Sequence, residues 1–593
     1  MIGSLRKTAR FLPLLFSLSS FACSEQAATS ESAPPAPEAE QDDDRAGTER
    51  LIAEADIVQL RDGRLYAMSK SGTVAIVDVS QPGRLALLGK TRLPGQPFEM
   101  YLRGNQLVTM SLNAFQSSGA QAEIADEGRY PRYYQNASSA VIVLDISNPT
   151  SMSMPAIHVV PGTIDDSRVI GDVLYVVSTE RGYCYRCRPD NSTHVTSYSL
   201  TDAIGLPKVD DLELAPPEGY GSTWERAVSV GKDRLYVGGR SSTGYSASAG
   251  EIDIIDVSDP QGHLVRGAHL EVSGPIYTRW QVDERDGILR VVSQPGASGA
   301  NNSSKMPAVD TFAIESSQSV KQLGHMEMTI PALEGLRGVR FAEDRAFVIT
   351  YRRTDPLYTI DLSDPKAPRQ RGELHIPGFV FHMEPFGDRL LGLGVDANNE
   401  EGNLNVSLFD VSNLDEPRMI ERVSFGGKGL RTDDSTARVQ LAEDYDRIQK
   451  AFKVLDDGLI VVPFSGTTGP RGYGDTCEST TSGVQLIEWQ NDRLVKRAHL
   501  PLQGNPRRAL PYQDELITVS DSNVRTFSLA NKDVAQPTAD VVIGKCVSRY
   551  GYDDFGGFCS VHAPGSRAGG IATIGTLAGV FAFVIVRRRR SSR

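Results

Sequence analysis

A short two-strand unit recurs along this chain and constrains its fold more than any other feature of the sequence. Its clearest copy is Asp166 to Ser178, DSRVIGDVLYVVS, in which a Gly-Asp pair separates two runs of aliphatic, aromatic and β-branched residues. Such a pair between such runs is typical of a tight β-hairpin. Eight further copies make nine: RDGRLYAMS from Arg61, RGNQLVTMS from Arg103, GKDRLYVGG from Gly231, ERDGILRVVS from Glu284, AEDRAFVIT from Ala342, FGDRLLGLG from Phe386, LDDGLIVVP from Leu455 and YQDELITVS from Tyr512.

Each hairpin is followed by a β-branched run that ends in an Asp and a Ser-containing turn. The clean copies are VAIVDVSQP ending at Pro82, VIVLDISNP at Pro149, IDIIDVSDP at Pro260, YTIDLSDP at Pro365 and VSLFDVSN at Asn413. Successive units are separated by 42 to 69 residues. A period of this size with four strands per unit predicts an all-β fold, a single large β-propeller. We expect this propeller to have eight four-stranded blades, or nine if the last unit forms its own blade instead of completing the first.

Almost all extra residues fall between the second and third strands of a unit. They are Asn113 to Ser138, the cysteine loop RGYCYRCRPDN, Ser241 to Gly250, Gln294 to Pro307, Asp396 to Asn403 and Ser465 to Thr481. In a propeller these connections emerge on one face, together with the crossovers between blades, such as Phe425 to Gln449. Insertions gathered on one face usually mark the binding face.

Composition and motifs argue against two classes of function. The net charge of -12, with no basic stripe before the extreme C-terminus, excludes nucleic acid as a partner. No Gly-x-Ser-x-Gly elbow is present, and three tryptophans are too few for the repeated docking pattern of quinone-dependent propellers. We therefore expect a protein that is not an enzyme and has no cofactor. The alternative is an envelope hydrolase or oxidoreductase that uses carboxylates around the propeller channel.

Recurring polar residues are expected to be structural. The aspartates of the DVS-type turns recur once per unit with a Ser two residues later, as a side chain that caps its own turn would. They are Asp78, Asp145, Asp256, Asp361 and Asp410. Four histidines occupy matching places in the predicted outer strands and are read as strand-surface residues. They are His269, His325, His375 and His499.

One weak cation site can be named in DANNEEGN. Asp396, Asn398 and Glu400, followed by Gly402, have the alternating oxygen ligands and the permissive glycine of a calcium loop. A solvated polar insertion explains the same residues and is favoured over calcium.

The N-terminus predicts export. Residues 1–22 contain basic residues and then the apolar run Phe11 to Ala22, the layout of a secretory signal peptide. Cys23 follows at once, a position similar to that of the lipidated cysteine of bacterial lipoproteins, and is a candidate for lipidation. Plain cleavage after Ala22 is the alternative, because Ser20 stands where a lipoprotein box has a larger aliphatic residue. Residues 23–50 form an acidic, proline-rich linker with little to bury, which predicts disorder.

The C-terminus predicts a membrane segment. A cysteine-containing juxtamembrane stretch, 545–567, precedes the uncharged apolar run 568–586 and the basic tail 587–593. A helix over 568–586 would be about 28 Å long at about 1.5 Å per residue, close to the thickness of a bilayer core. This end is similar to the sorting tails of bacterial surface proteins. The helix is therefore either a permanent membrane anchor or a sorting signal that a protease removes. Either outcome places the propeller, residues 51–544, at the cell envelope or surface.

Pairing is the default for cysteines in an exported chain. Cys546 and Cys559 are the preferred disulfide. Cys184 and Cys187 lie in Cys-x-x-Cys spacing and are read as a small loop-stiffening disulfide, because haem attachment would need His at Arg188 and zinc would need two more ligands. Cys477 is left over unless it pairs with that loop.

Several stretches carry a family resemblance. PGTIDDSRVIGDVLYVVS, RGELHIPGFVFHMEPFGDRLLGLG, SLFDVSNLDEP, FGGKG and KAFKVLDDGLIVVP resemble the secreted bacterial β-propeller family described as distantly related to WD40 repeats, over about Leu51 to Gly544. The VAIVDVSQP-type strands are similar to the LVIVD repeats of bacterial surface proteins. The resemblance implies the fold and carries no catalytic residue. We therefore expect a binding or scaffold module for an envelope protein or polysaccharide, attached to a membrane through the C-terminal helix, a lipid on Cys23, or both.

Overall fold

The structure is a computed structural model. It describes residues 52–53, 55–69, 71–116, 122–124, 131–134, 137–180, 182–184, 192–214, 226–240, 249–296, 305–330, 334–351, 355–396, 404–426, 439–441, 447–466 and 482–544. All of them belong to one compact unit within residues 1–548. The signal peptide, the linker, the C-terminal apolar run and five cysteines, Cys23, Cys187, Cys477, Cys546 and Cys559, lie outside the described residues.

The first half of the chain forms four blades and one small extra sheet. Strand β1 (Ile52–Ala53) precedes the first blade, which contains β2 (Val58–Arg61), β3 (Arg64–Met68), β4 (Thr73–Gln81) and β5 (Arg84–Arg92). The second contains β6 (Gln96–Arg103), β7 (Gln106–Gln116), β10 (Ala137–Asp145) and β11 (Ser153–Val160), with β8 (Ala122–Ile124) and β9 (Pro131–Tyr134) in its insertion. The third contains β12 (Thr163–Ile170), β13 (Val173–Thr179), β15 (Thr193–Ser199) and β16 (Lys208–Leu214), with β14 (Gly182–Cys184) in its insertion. The fourth contains β17 (Ala227–Val230), β18 (Arg234–Arg240), β19 (Gly250–Asp256) and β20 (Val265–Val272).

Five more blades follow. The fifth begins after a 3₁₀ turn (Arg279–Gln281) and contains β21 (Val282–Arg285), β22 (Ile288–Ser293), β23 (Ala308–Ser316) and β24 (Ser319–Glu327). The sixth contains β25 (Gly335–Ala342), β26 (Arg345–Tyr351), β27 (Asp355–Asp361) and β28 (Arg369–Ile376), and the seventh β29 (Phe379–Phe386), β30 (Arg389–Val395), β31 (Leu404–Asp410) and β32 (Arg418–Phe425). Before the eighth lie β33 (Val439–Leu441) and helix α1 (Ile448–Ala451), and its strands are β34 (Lys453–Val454), β35 (Leu459–Gly466), β36 (Gly483–Gln490) and β37 (Arg493–Pro501). The ninth contains β38 (Pro506–Tyr512), β39 (Glu515–Ser520), β40 (Asn523–Ser528) and β41 (Ala539–Val542).

The chain is thus an all-β propeller with nine blades, each an antiparallel four-stranded sheet. Of the two blade numbers expected, eight and nine, the structure has nine, because the last unit has four strands of its own, β38 to β41, and lends none to the first blade. Each of the nine predicted hairpins forms the first and second strands of a blade.

The recurring aspartates cap their own turns, as predicted. The Oδ1 atom of Asp78, Asp145, Asp256, Asp361 and Asp410 in each case accepts a hydrogen bond from the main-chain nitrogen of the serine two residues on, at 2.9 to 3.0 Å. The carboxylate therefore replaces a main-chain acceptor at the end of the third strand.

Neighbouring blades approach each other closely at a glycine in the fourth strand. A Cβ atom on Gly89 would lie 1.7 Å from the carbonyl oxygen of Pro149, in the Asp-Ile-Ser-Asn-Pro turn of the next blade. Gly324 meets Pro365 and Gly372 meets Leu414 in the same way, at 2.6 and 2.4 Å. The Asp-Ser turn of one blade therefore docks onto the bare backbone of the blade before it, which explains the glycine that recurs near the outer-strand histidines.

The first strands of the blades surround the axis of the ring, and two extra segments lie against some of these strands. Strand β1 pairs antiparallel with β12, the first strand of the third blade, with Ile52 opposite Ile170. Lys450, in α1 before the eighth blade, donates a hydrogen bond to the carbonyl oxygen of Ala55 at 2.6 Å. The ring closes because the ninth blade packs on the first, with Ile517 and Ile76 in one apolar core.

Within the described part of the chain no helix is long and apolar enough to span a bilayer. The predicted helix over 568–586 is not among these residues and stays a prediction.

Candidate functional site

One end of the ring carries the insertions, and we call this end the loop-bearing face. Because the four strands of each blade alternate in direction and the first strands surround the axis, all second-to-third connections emerge at the same end. The longest of these connections join β7 to β10, β35 to β36, β22 to β23 and β13 to β15. The predicted clustering of insertions on one side therefore follows from the observed strand order.

The insertions of the second and third blades form a joint structure on this face. Strand β9 pairs antiparallel with β8 within the second blade's insertion and with β14 from the third blade's insertion. Gly182 lies opposite Tyr134, and Cys184 lies opposite Arg132. A three-stranded sheet thus connects the insertions of two neighbouring blades.

The strand that leads into this sheet ends in an exposed aromatic residue. Phe115, near the end of β7, is 39% exposed and pairs with Ser138 of β10. The predicted insertion from Asn113 to Ser138 is therefore shorter than expected, because β7 continues to Gln116 and β10 begins at Ala137.

The calcium candidate falls on the edge of the described residues. Asp396 faces Arg422, with 3.7 Å between the Asp Oδ2 and an Arg Nη1 atom, so a cationic side chain already lies next to this carboxylate. Asn398 and Glu400 lie outside the described residues. In the described stretches no group of three or more His, Cys, Asp or Glu side chains is placed to hold a metal ion.

The four repeated histidines lie in fourth strands, as expected, and two of them pair with an aspartate of the third strand. His269 Nδ1 is 3.0 Å from Asp253 Oδ1, and His325 Nδ1 is 2.7 Å from Asp310 Oδ1 in the next blade. The hydrogen bond to Asp253 raises the pKa of His269. These pairs cross-link neighbouring strands at equivalent places in two blades.

A second region with unusual chemistry lies at the axis, where one buried carboxylate collects three basic groups. Glu99 in β6 is 2% exposed and accepts hydrogen bonds from Ser167 at 2.9 Å, Arg447 at 3.1 Å and Lys450 at 3.4 Å. Burial alone would raise the pKa of Glu99, but Lys450, Arg447 and Arg168 outweigh it and lower the pKa below its ordinary value. The network joins the second and third blades to the segment that precedes the eighth.

A third axial group is built around Arg340 in β25. Arg340 is 1% exposed, and its Nη2 donates a hydrogen bond to His382 Nδ1 at 3.2 Å. Because His382 Nδ1 accepts this bond, the ring proton is on Nε2, which donates to Glu384 Oε2 at 3.1 Å. Burial lowers the pKa of Arg340 well below its ordinary value, and the more distant Glu384 offsets this only in part.

Sequence analysis missed these axial groups. These axial arginines form no continuous basic stripe in the sequence, because they occur singly or in pairs in first strands or just before them: DDSRV, WERAV, YTRWQ, LRGVR and PRRAL. Aligning the nine units would have shown an arginine repeatedly beside the first strand of a hairpin.

Comparison with known proteins supports the fold. The family model described as "Beta propeller domain" matches residues 48–218 and 223–532, which is most of the chain. The chain belongs to the β-propeller domain family. Membership in this family confirms the predicted fold and assigns no activity.

Curated relatives match only in part. An uncharacterised protein of Methanocaldococcus jannaschii is 35% identical over 154 residues, which is 26% of this chain and 23% of the relative. An uncharacterised protein of Archaeoglobus fulgidus is 33% identical over 148 residues, 25% of this chain and 21% of the relative. This β-propeller domain protein therefore spans less than a quarter of the length of these two relatives.

Solved structures with a related arrangement are distant. BamB from Moraxella catarrhalis has a TM-score of 0.33 at 11% identity, over 80% of this chain and 97% of that one. Apo AztD from Citrobacter koseri has a TM-score of 0.35 at 9% identity, over 77% and 96%. At these values neither protein informs the function of this propeller.

Proposed function

We propose that this chain is a non-enzymatic binding protein of the bacterial cell envelope that holds a protein or a polysaccharide on its loop-bearing face. The observation that carries the proposal is the sheet of β8, β9 and β14, because insertions from two blades converge on it. A surface built jointly by neighbouring blades positions side chains more firmly than separate loops would. The exposed ring of Phe115, in the strand that precedes this sheet in the chain, supplies the kind of aromatic contact that binding surfaces favour.

The state of the axial carboxylates supports binding over catalysis. Asp56 is ion-paired with Arg508, and Asp166 is ion-paired with Arg168. Glu99 is ion-paired with both Lys450 and Arg447. A general acid or base needs a carboxylate that can exchange its proton with a substrate. Basic neighbours lower the pKa of Glu99, and Asp56 and Asp166 are already engaged in ion pairs, which disfavours the alternative of a hydrolase or oxidoreductase at the channel.

Attachment to the envelope belongs to the same proposal. The signal peptide, Cys23 and the apolar run 568–586 would export the propeller and hold it at a membrane. The acidic linker would then separate the propeller from a lipid anchor at the N-terminus. The sorting role of the C-terminal segment is likewise proposed on its sequence alone.

The test compares three forms of the full chain. In the trimmed form, short Gly-Ser turns replace residues 118–135 and 467–481, which leaves the strand pairs of Phe115 with Ser138 and Phe464 with Gly483 intact. In the control form, Asp286→Asn and Glu343→Asn change two exposed hairpin residues at the opposite end of the ring, where asparagine tolerates the positive φ angles of 52° and 49°. All three forms are incubated with purified envelope proteins and with cell-wall polysaccharide.

We expect the native and control forms to retain the same envelope component, and the trimmed form to lose it. Circular dichroism and thermal unfolding check that the trimmed form keeps its blades. If trimming leaves binding unchanged while the native chain turns over an envelope substrate, the binding proposal is wrong.

A further inference from the structure

Arg340 is a buried cation with unfilled hydrogen-bonding capacity. Its Nη2 binds His382, but its Nε and Nη1 have no hydrogen-bond partner and no surface open to solvent. Within the described ranges no aspartate or glutamate forms an ion pair with it, and Glu384 reaches it only through the neutral ring of His382. An arginine side chain keeps its charge in proteins, so this charge is left uncompensated.

Other buried arginines show what the protein does when it compensates such a charge. Five of them have a carboxylate partner, in the pairs Arg168–Asp166, Arg226–Glu251, Arg290–Asp283, Arg507–Asp521 and Arg508–Asp56. A buried charge without a partner is strongly unfavourable. Arg340 departs from this rule, which indicates that something outside the chain supplies its counter-charge.

A second unfilled donor lies beside Arg340. The indole ring of Trp280 is 5% exposed, its Nε1 has no hydrogen-bond partner, and the Cζ atom of Arg340 is 5.0 Å from the ring centroid. The guanidinium of Arg279 also lies over this indole, with Cζ 4.3 Å from the centroid. Two cations therefore lie against one tryptophan, and the Nε and Nη1 atoms of Arg340 and the Nε1 atom of Trp280 have no hydrogen-bond partner.

We propose that a small inorganic anion of halide size binds beside Arg340 and Trp280 at the axis of the ring. It would accept hydrogen bonds from the N–H groups of Arg340 and from the indole N–H. A water molecule could fill these donors but would leave the charge of Arg340 uncompensated. Because the donor atoms are closed to solvent, a large organic anion does not fit. A small anion enters the site only while the chain folds or when the ring opens. This site is separate from the loop-bearing face and does not depend on the proposed function.

The test uses bromide as the probe on the full chain. Urea unfolding is followed while bromide replaces gluconate at constant ionic strength, since gluconate is too large for a buried site. We expect the unfolding midpoint to rise with bromide and to saturate, as binding to the native state alone requires. In crystals grown in bromide, an anomalous peak should appear within hydrogen-bond distance of Arg340.

Two variants and a control isolate the site. Arg340→Met keeps the aliphatic stem, removes the charge, and should abolish both the saturable rise and the anomalous peak. Trp280→Phe keeps an aromatic ring and removes the indole N–H, and it should weaken the apparent bromide affinity at least tenfold. This variant tests the site even if Arg340→Met folds poorly. Arg290→Met removes an arginine that has its own carboxylate and should keep the native bromide dependence, which corrects for general salt effects.

The proposal is overturned if the native chain and Arg340→Met respond to bromide alike. It is also overturned if the crystals show a water molecule and no anomalous signal beside Arg340.

Discussion

Arg508 in the ninth blade holds Asp56, just before the first blade, through hydrogen bonds of 2.9 Å from Nε and 2.6 Å from Nη2 to the same carboxylate oxygen. The two residues are far apart in sequence, so this contact closes the ring. The Arg508 side chain is 3% exposed and that of Asp56 is 21% exposed. The pair is therefore shielded from solvent on its arginine side.

Asp56→Asn should destabilise the propeller because it leaves the buried Arg508 cation without a counter-charge. We expect a loss of about 3 kcal/mol in the free energy of unfolding. This value is at the lower end of the range for breaking a buried ion pair, because Asp56 is partly exposed. Urea unfolding measures it. The double variant Asp56→Asn with Arg508→Met should recover most of the loss, and Asp415→Asn, in an exposed pair with Arg371, should change little. Equal losses in the single and double variants would argue against a charge effect.

The Glu99 network predicts a pH dependence on the acid side. The folded pKa of Glu99 lies below its ordinary value of 4.5, so its contribution to stability is present above that value and is lost as the pH falls through the folded pKa. Glu99→Gln should cost about 3 kcal/mol at pH 7 because Lys450 loses a charged partner. The cost should shrink as the pH falls below 4, and unfolding curves from pH 7 to pH 3 measure it. A pH-independent cost would contradict the assigned charge state.

The His269–Asp253 pair predicts the opposite sign. The hydrogen bond to Asp253 raises the folded pKa of His269 above the ordinary value of 6.5, so its stabilising effect is complete below pH 6.5 and is lost as the pH rises through the folded pKa. Proton NMR titration of the His269 ring should give a pKa above 6.5 in the native chain. Asp253→Asn should lower that pKa, and an unchanged value would show that the contact does not form in solution.

The glycine contacts between blades predict a steric effect. Gly89→Ala would place a methyl group against the carbonyl oxygen of Pro149 and should force the first two blades apart, with a loss of about 3 kcal/mol. Gly387→Ala is the control, because nothing lies within 4 Å of its Cβ position. The control should cost about 1 kcal/mol through its positive φ angle alone. Thermal unfolding distinguishes the two, and equal costs would mean that the blades are not packed this tightly.

The local part of the fold could be predicted from the sequence. The hairpin beginning at Asp166 and the Asp145 turn follow from neighbouring residues, because a tight turn and an aspartate cap are set by the chain within a few positions. The blade number was harder, since the closure of the ring depends on contacts such as Arg508 with Asp56 across the whole chain.

The axial groups could not be predicted from the repeat. Ile52 and Lys450 lie in segments that do not repeat, and their pairing with β12 and with Ala55 joins distant parts of the chain. The unpaired state of Arg340 depends on which carboxylates the folded ring brings near it. The loop-bearing face was predicted from the position of the insertions, whereas the joint sheet of β8, β9 and β14 was not, because short strands inside insertions have too weak a pattern.

Site-specific photo-crosslinking in cells tests the central claim most directly. A photoreactive amino acid replaces Phe115 on the loop-bearing face in one chain and Glu343 at the opposite end in another. Both side chains are exposed, at 39% and 67%, so both probes can reach a partner. We predict one defined crosslinked envelope component from position 115 and none from position 343, whereas crosslinking from position 343 alone would contradict the assignment of the binding face.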